Sequence, residues 1–199
     1  MTAQGFALFE TAIGTCAIAW GERGIVAAQL PGHDEAQIRT RMRKRFPEAS
    51  ESEPSAEVRR AIDGIVALIQ GERRDLLDVA LDMDGIPEFH RRVYDVARAI
   101  PPGQTLTYGE VAEKLDSPGA ARAVGQALGA NPFPIIVPCH RVLAASGKTG
   151  GFSAPGGTST KMRMLTIEGA KPNQAPSLFD RLPLMAPPRR PRVVPNRRR

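Results

Sequence analysis

The chain has 199 residues, 42% of them apolar and 24% charged, which suffices for one ordinary domain or two small ones around a real core. No stretch approaches the ~20 consecutive apolar residues of a membrane-spanning helix, and the first ten residues lack the basic and apolar regions of a secretory leader, so a cytoplasmic protein is expected, or a nuclear one in a eukaryote. The net charge of +6 is local: residues 185–199 hold six arginines and no acid, and without them 21 basic residues face 21 acidic ones. Overall charge alone therefore does not mark the folded part as a nucleic-acid binder.

In chain order, residues 6–10, 15–20 and 25–30 read as three short strands, with Gly14 and then Gly21 to Gly24 marking the turns. Residues 35–46 are strongly charged and helical in pattern. Residues 56–70 place Val58, Ile62, Ile65, Val66 and Ile69 close to one helical face. Residues 76–83 alternate enough to predict another strand. These elements predict a small α/β domain over residues 1–84.

From residue 85 the pattern turns to short helices, giving a second domain over 85–170. Pro87 suits a first helical turn, Phe89, Val93, Val96 and Ile100 recur at helical spacing, and Pro101-Pro102-Gly103 stops the helix. Thr107 can cap a second helix over 108–115, with Glu110 placed for a capping box. Residues 116–119 form a turn and residues 120–128 a third, alanine-rich helix. Two short helices across a tight turn suggest a helix-turn-helix, although many helical domains contain such a pair. Residues 171–199 are rich in Pro and Arg, with few large apolar side chains, and are expected to be disordered.

Cys16 and Cys139 are the only cysteines, too few for a disulfide framework or a cysteine-built zinc site, and Cys16 in its strand reads as a small buried hydrophobe. Cys139 differs. Pro132, Pro134 and Pro138 force extended backbone just ahead of the Cys139-His140 pair, as though the thiol were being aimed. A thiol attacks as thiolate and needs a base or positive surroundings. His140 is the nearest base, but neighbouring side chains in an extended strand point to opposite faces, so a bridging water would be needed. Glu168 can orient the imidazole. Residues 117–167 contain no Asp or Glu but carry Arg122, Arg141, Lys148, Lys161 and Arg163. This fits a phosphate-facing surface, and fits equally a Gly/Pro/Ala-rich segment that lacks acids.

Pro138-Cys139-His140-Arg141-Val142 resembles the active-site signature of the O6-alkylguanine-DNA alkyltransferases. Thr107 to Ala112, Ala121 to Gly125, Asn131-Pro132 and Gly150 to Ser153 agree with that family in order and spacing, over roughly residues 86–169. The first eighty residues match more weakly, and the tail not at all.

The resemblance implies a ribonuclease H-like N-terminal domain followed by a winged-helix-like helix-turn-helix domain. It implies a partner, duplex DNA carrying O6-alkylguanine, or O4-methylthymine as a second candidate, and a monomer that needs neither cofactor nor metal. The damaged nucleotide would be flipped from the stack, at a cost of a few kcal/mol, with Arg122 filling its place and Ala121 and Gly125 allowing close approach to DNA. Tyr108 would contact the flipped base and turn the 3′ phosphate. Val142, Phe152, Ser153 and Lys161 would line the base pocket, with the backbone carbonyls of Cys139 and Val142 accepting from the exocyclic amine. Asn131 would tie the helix-turn-helix to the active-site strand. His140, a water and Glu168 would deprotonate Cys139, which takes the alkyl group irreversibly.

Two departures stand out: Phe152 where some relatives have tyrosine, and a longer loop over residues 154–160. The competing readings are a non-catalytic lesion-binding protein, a transcriptional regulator and a Cys-His hydrolase.

Overall fold

The computed structural model describes residues 2–145, 151–152 and 156–170. Expectations for the tail, Ser153 and Lys148 fall outside them.

The three predicted strands are present as β1 (Gly5–Thr11), β2 (Gly14–Gly21) and β3 (Gly24–Gln29), an antiparallel meander. Its turns use Gly14 and Gly24 at φ 120° and 122°, a region that side chains with a Cβ avoid. A two-residue strand that the sequence does not reveal, β4 (Ser50–Glu51), pairs parallel with β1 and gives the order β3-β2-β1-β4. Strand alternation then divides the sheet's side chains between two cores. Ala17 and Ala19 face α1 (Glu35–Arg45), where Ile38 and Met42 are buried. Cys16 and Ile18 face the opposite way, toward α2 (Ala56–Ile69) and the rest of the molecule. Asp34 caps α1 by accepting from Gln37 N at 2.7 Å, and Ser55 caps α2.

Residues 76–83 do not form the expected strand. Leu76 takes φ 56°, and the carbonyls of Leu76, Leu77 and Val79 are held by the Arg98 guanidinium, which removes them from any ladder. Only Leu81 bridges to β3: Ile25 N donates to Ala80 O, and Asp82 N to Ile25 O.

The second half follows the predicted order: α3 (Glu88–Arg98), β5 (Leu106–Thr107), α4 (Tyr108–Lys114) and α5 (Ala121–Gly129). A 3-10 turn (Cys139–Arg141), β6 (Val142–Leu143) parallel to β5, and α6 (Gly157–Ile167) come next. The capping box is complete, with Thr107 Oγ1 accepting from Glu110 N at 3.1 Å and Glu110 Oε2 accepting from Thr107 N at 2.6 Å. It fixes where α4 begins and hence where Tyr108 projects. Residues 157–160, read as loop from the sequence, belong to α6.

One continuous core runs through both halves, joining Ile18 and Ile65 to Val93, Val111, Val124, Val137 and Met164. Polar ties reinforce it. The Arg163 guanidinium donates to the carbonyls of Ala12 and Ile13 in the β1–β2 turn. The edge of β3 donates from Ala28 N to Pro132 O at 2.9 Å. No described helix is long and apolar enough to cross a membrane.

Candidate active site

The segment between α5 and the 3-10 turn is rigid for reasons visible in its residues. Proline removes donors and restricts its neighbours, so the remaining polar groups must be met locally. Asn131 supplies them: its Nδ2 donates to Val137 O at 3.0 Å, and its Oδ1 accepts from Phe133 N at 2.9 Å. Both bonds fall within this one loop, and Asn131 stands just past the Ala130 C-cap of α5, so the side chain fixes the loop that leaves the helix. Ile135 lies at φ 77°, an outlier for a β-branched residue. Such strain persists only where surrounding structure enforces it.

At the end of this loop the backbone tightens. Cys139 N donates to Val137 O and Arg141 N to Pro138 O, making a 3-10 turn where an extended strand is expected from the prolines. The difference matters because strand alternation no longer separates the side chains of Cys139 and His140. The Cys139 thiol keeps part of its surface open to a groove of about 1440 Å³, while His140 is fully buried behind it.

The buried side is a charge network. Glu168, at the C-terminal end of α6, accepts from His140 Nε2 at 2.8 Å. The same carboxylate accepts from Arg141 Nε and Nη2, both at 2.8 Å, while Arg141 Nη1 donates to Ile100 O at 2.6 Å. Burial alone would raise the Glu168 pKa, but the hydrogen bonds from His140 and Arg141 outweigh it and hold the group at about 2. An ionised carboxylate can only accept, so Nε2 must carry the imidazole proton. Burial also pushes the His140 pKa below its ordinary value, against the opposing pull of Glu168. The imidazole is therefore neutral near pH 7 and its Nδ1 carries the free lone pair. That nitrogen is buried and has no protein partner among the described residues.

On the groove side, burial raises the Cys139 pKa, opposed by the Asn131 side chain, the Lys161 ammonium and nearby backbone N–H groups. Lys161 itself is fully buried, donates to Val142 O at 2.7 Å and lies 5.9 Å from the centre of the Tyr108 ring. Burial lowers its pKa to about 8, with Cys139 working in the opposite direction. The Val142 carbonyl thus already accepts from Lys161, and that of Cys139 from Val142 N, each retaining a second lone pair for any ligand. Tyr108 is half-buried, and a Cβ on Gly125 would lie 3.8 Å from its ring, so α4 and α5 meet closely there.

Arg122 is exposed at the start of α5 and lines the groove with Ala121, Tyr108, Cys139 and Phe152. Of the two readings left open for the acid-free segment, a phosphate-facing row is not favoured: Arg141 and Lys161 are buried, and Arg163 is spent on the carbonyls of Ala12 and Ile13. The sequence reading missed Arg141 as a site residue. Its signal was the absence of acids over residues 117–167, which leaves Glu168 as the next carboxylate along the chain. Cys16 is buried in the sheet with its pKa pushed up to about 12. No group of three or more His, Cys, Asp or Glu able to hold a metal occurs among the described residues.

Two short helices, α4 and α5, beside a groove that exposes a thiol backed by a Glu-His pair define a protein built to present one cysteine to what enters the groove. The family described as 6-O-methylguanine DNA methyltransferase, DNA binding domain, matches residues 88–170. A methylated-DNA–protein-cysteine methyltransferase of Mycobacterium bovis is 41% identical over 155 residues, 76% of this chain and 91% of that protein. One from Mycolicibacterium paratuberculosis is 45% identical over 120 residues, 60% of this chain and 70% of that protein. The crystal structure of Mycobacterium tuberculosis OGT in complex with DNA matches with a TM-score of 0.62 at 32% identity, covering 83% of this chain and 92% of that one. The chain belongs to the methylated-DNA–protein-cysteine methyltransferase family.

Proposed function

We propose that this protein repairs DNA by taking the methyl or a related alkyl group from O6 of guanine in duplex DNA onto Cys139, once per molecule. The carrying observation is the Glu168–His140 pair, which leaves an unprotonated Nδ1 on the residue next to a groove-facing thiol. His140 takes the thiol proton, through a water where direct contact fails, and Glu168 stabilises the resulting imidazolium. Sulfur then attacks the alkyl carbon. As the S–C bond forms, the C–O6 bond breaks, its electron pair passes to guanine, and the proton released by the thiol ends on the base. The product is a thioether, which has no easy leaving route.

Burial keeps the resting thiol protonated, so deprotonation belongs to the occupied site, with the Lys161 ammonium favouring the thiolate. Arg122, Ala121 and Tyr108 take the DNA-facing roles: Arg122 enters the stack in place of the flipped nucleotide, and Tyr108 turns the 3′ phosphate. Val142, Phe152 and Lys161 take the base-pocket roles. Asn131 keeps Cys139 aimed through its bond to Val137. A monomer is supported by Leu77 being the sole exposed large apolar side chain among the described residues.

We read residues 1–84 as a ribonuclease H-like domain, supported by the meander with its parallel fourth strand. Residues 85–170 are read as winged-helix-like, supported by α3, α4 and α5 followed by β6.

The test is intact-protein and peptide mass spectrometry after incubation with a duplex containing one O6-methylguanine. A gain of one CH2 on the Cys139 peptide is expected. Lesion-selective binding without that gain would overturn alkyl transfer and leave a lesion sensor.

A further inference from the structure

The groove in front of Cys139 has two walls, and only one belongs to the helix-turn-helix. The opposite wall is built from the N-terminal half: Leu30, Gly32, and a row along α1 made of Gln37, Arg41 and Arg45. These last three are spaced four residues apart, so they share one helix face, each about 6 Å further along the axis. The groove's volume, about 1440 Å³, exceeds the roughly 300–1000 Å³ of a small-molecule pocket, so it is larger than a single flipped base requires.

The arginines of α1 fall into two sets. Arg39 is held by Glu35 at 2.8 Å and Glu51 at 3.0 Å, and Arg43 reaches Glu51 at 3.6 Å. That face of the helix is neutralised. Arg41 and Arg45 are exposed, line the groove and have no carboxylate partner among the described residues; Arg45 only rests over the Phe46 ring, 5.1 Å from its centre. Two like charges at four-residue spacing repel each other slightly in the free protein. On the facing wall Arg122 adds a third exposed guanidinium with no carboxylate partner among the described residues. Cations on both sides of one groove, without counter-charge, fit a polyanion lying between them.

We propose that α1 is a second DNA-contacting surface, on which Arg41 and Arg45 hold backbone phosphates of the duplex that α5 engages from the other side. This rests on the reading of the protein as a duplex-DNA alkyltransferase and extends it to the N-terminal half. The contact is electrostatic and independent of base sequence, since guanidiniums on phosphate carry position rather than specificity.

Each phosphate contact contributes about 0.9 to the slope of log affinity against log salt. The experiment is fluorescence anisotropy of the full chain on undamaged duplex over a salt series. Wild type is compared with the pairs R41Q/R45Q, R41K/R45K and R39Q/R43Q, each checked for folding by circular dichroism. R41Q/R45Q should lower the slope by about 1 to 2 and weaken binding at low salt by roughly ten-fold or more. R41K/R45K should restore most of the slope, because a phosphate accepts any point cation. R39Q/R43Q should leave it unchanged.

A wild-type slope in R41Q/R45Q would overturn the proposal, as would an equal fall in R39Q/R43Q. The slope is a binding quantity, so it decides this question whether or not Cys139 takes a methyl group. Absence of transfer by wild type would count against the repair reaction alone.

Discussion

The two cysteines occupy regions that burial treats alike and chemistry does not. Cys16 lies in β2, packed in the core with Thr11 Oγ1 3.8 Å from its sulfur, and the charge of Glu10 opposes ionisation further. Cys139 is also raised by burial, yet it has a lysine ammonium, an asparagine amide and backbone N–H groups on its side, and an open face toward the groove. Desolvation alone makes a thiol inert. A reactive thiol needs the same shelter together with compensating donors, a base with a defined tautomer, and a way in for the substrate.

The sharpest break of this comparison is exchange of the thiols. Cys139→Ala should abolish alkyl transfer entirely while retaining DNA binding, and Cys16→Ala should transfer fully, both read by protein mass after reaction with methylated duplex. Transfer surviving in Cys139→Ala would reverse the assignment.

Next comes the base. Glu168→Gln leaves Arg141 as an uncompensated buried cation and frees the His140 tautomer. Transfer should fall on the order of 100-fold or more, and stability to denaturant by about 3–5 kcal/mol. The same carboxylate sets a pH dependence. Its pKa is about 2 in the fold against an ordinary 4.5. The corresponding stability, on the order of 3 kcal/mol, is fully present above pH 4.5 and is lost as pH falls from there toward 2. Burial of neutral His140 adds a loss in the same direction as pH drops below its ordinary 6.5. Denaturant titrations across this range should show the decline in wild type and a flatter profile in Glu168→Gln.

A smaller effect is expected at the groove mouth. Arg122→Ala should slow repair in duplex by roughly 10- to 100-fold, the range set by a flipping cost of a few kcal/mol, while barely changing reaction with free O6-alkylguanine base. Equal losses on both substrates would contradict its role in the stack. The mildest change should come from Lys161→Met, which removes an ammonium whose charge favours the Cys139 thiolate. The Cys139 pKa should rise further, seen as a shift to higher pH in the pH–rate profile of thiol modification, with Cys16 unaffected.

Much of this contrast was legible in the sequence, because it rests on local chemistry. Strand alternation around Gly14 and Gly24, the Thr107–Glu110 capping box, and the proline-directed approach to Cys139 all act through near neighbours. What escaped depends on distant partners. β4 is two residues long and exists only because β1 lies beside it. Residues 76–83 have a strand pattern, but Arg98 takes their carbonyls. Arg141 and Lys161 look like surface cations until Glu168 and the Val142 carbonyl are brought to them. The 3-10 turn at Cys139 likewise has no periodic signal, being set by backbone bonds to Val137 and Pro138.

The Arg141 guanidinium joins the end of α3, through Ile100, to a carboxylate at residue 168. The clasp between the end of α3 and the end of α6 and the partner that holds Glu168 against His140 are thus one side chain. It follows that the chain has a sharp limit to how far it can be shortened from its C-terminal side. Truncations that keep Glu168 in place should retain a folded, reactive thiol, whereas a stop codon just ahead of it should cost folding and chemistry together. Partial proteins that fold without reacting should be absent from such a series.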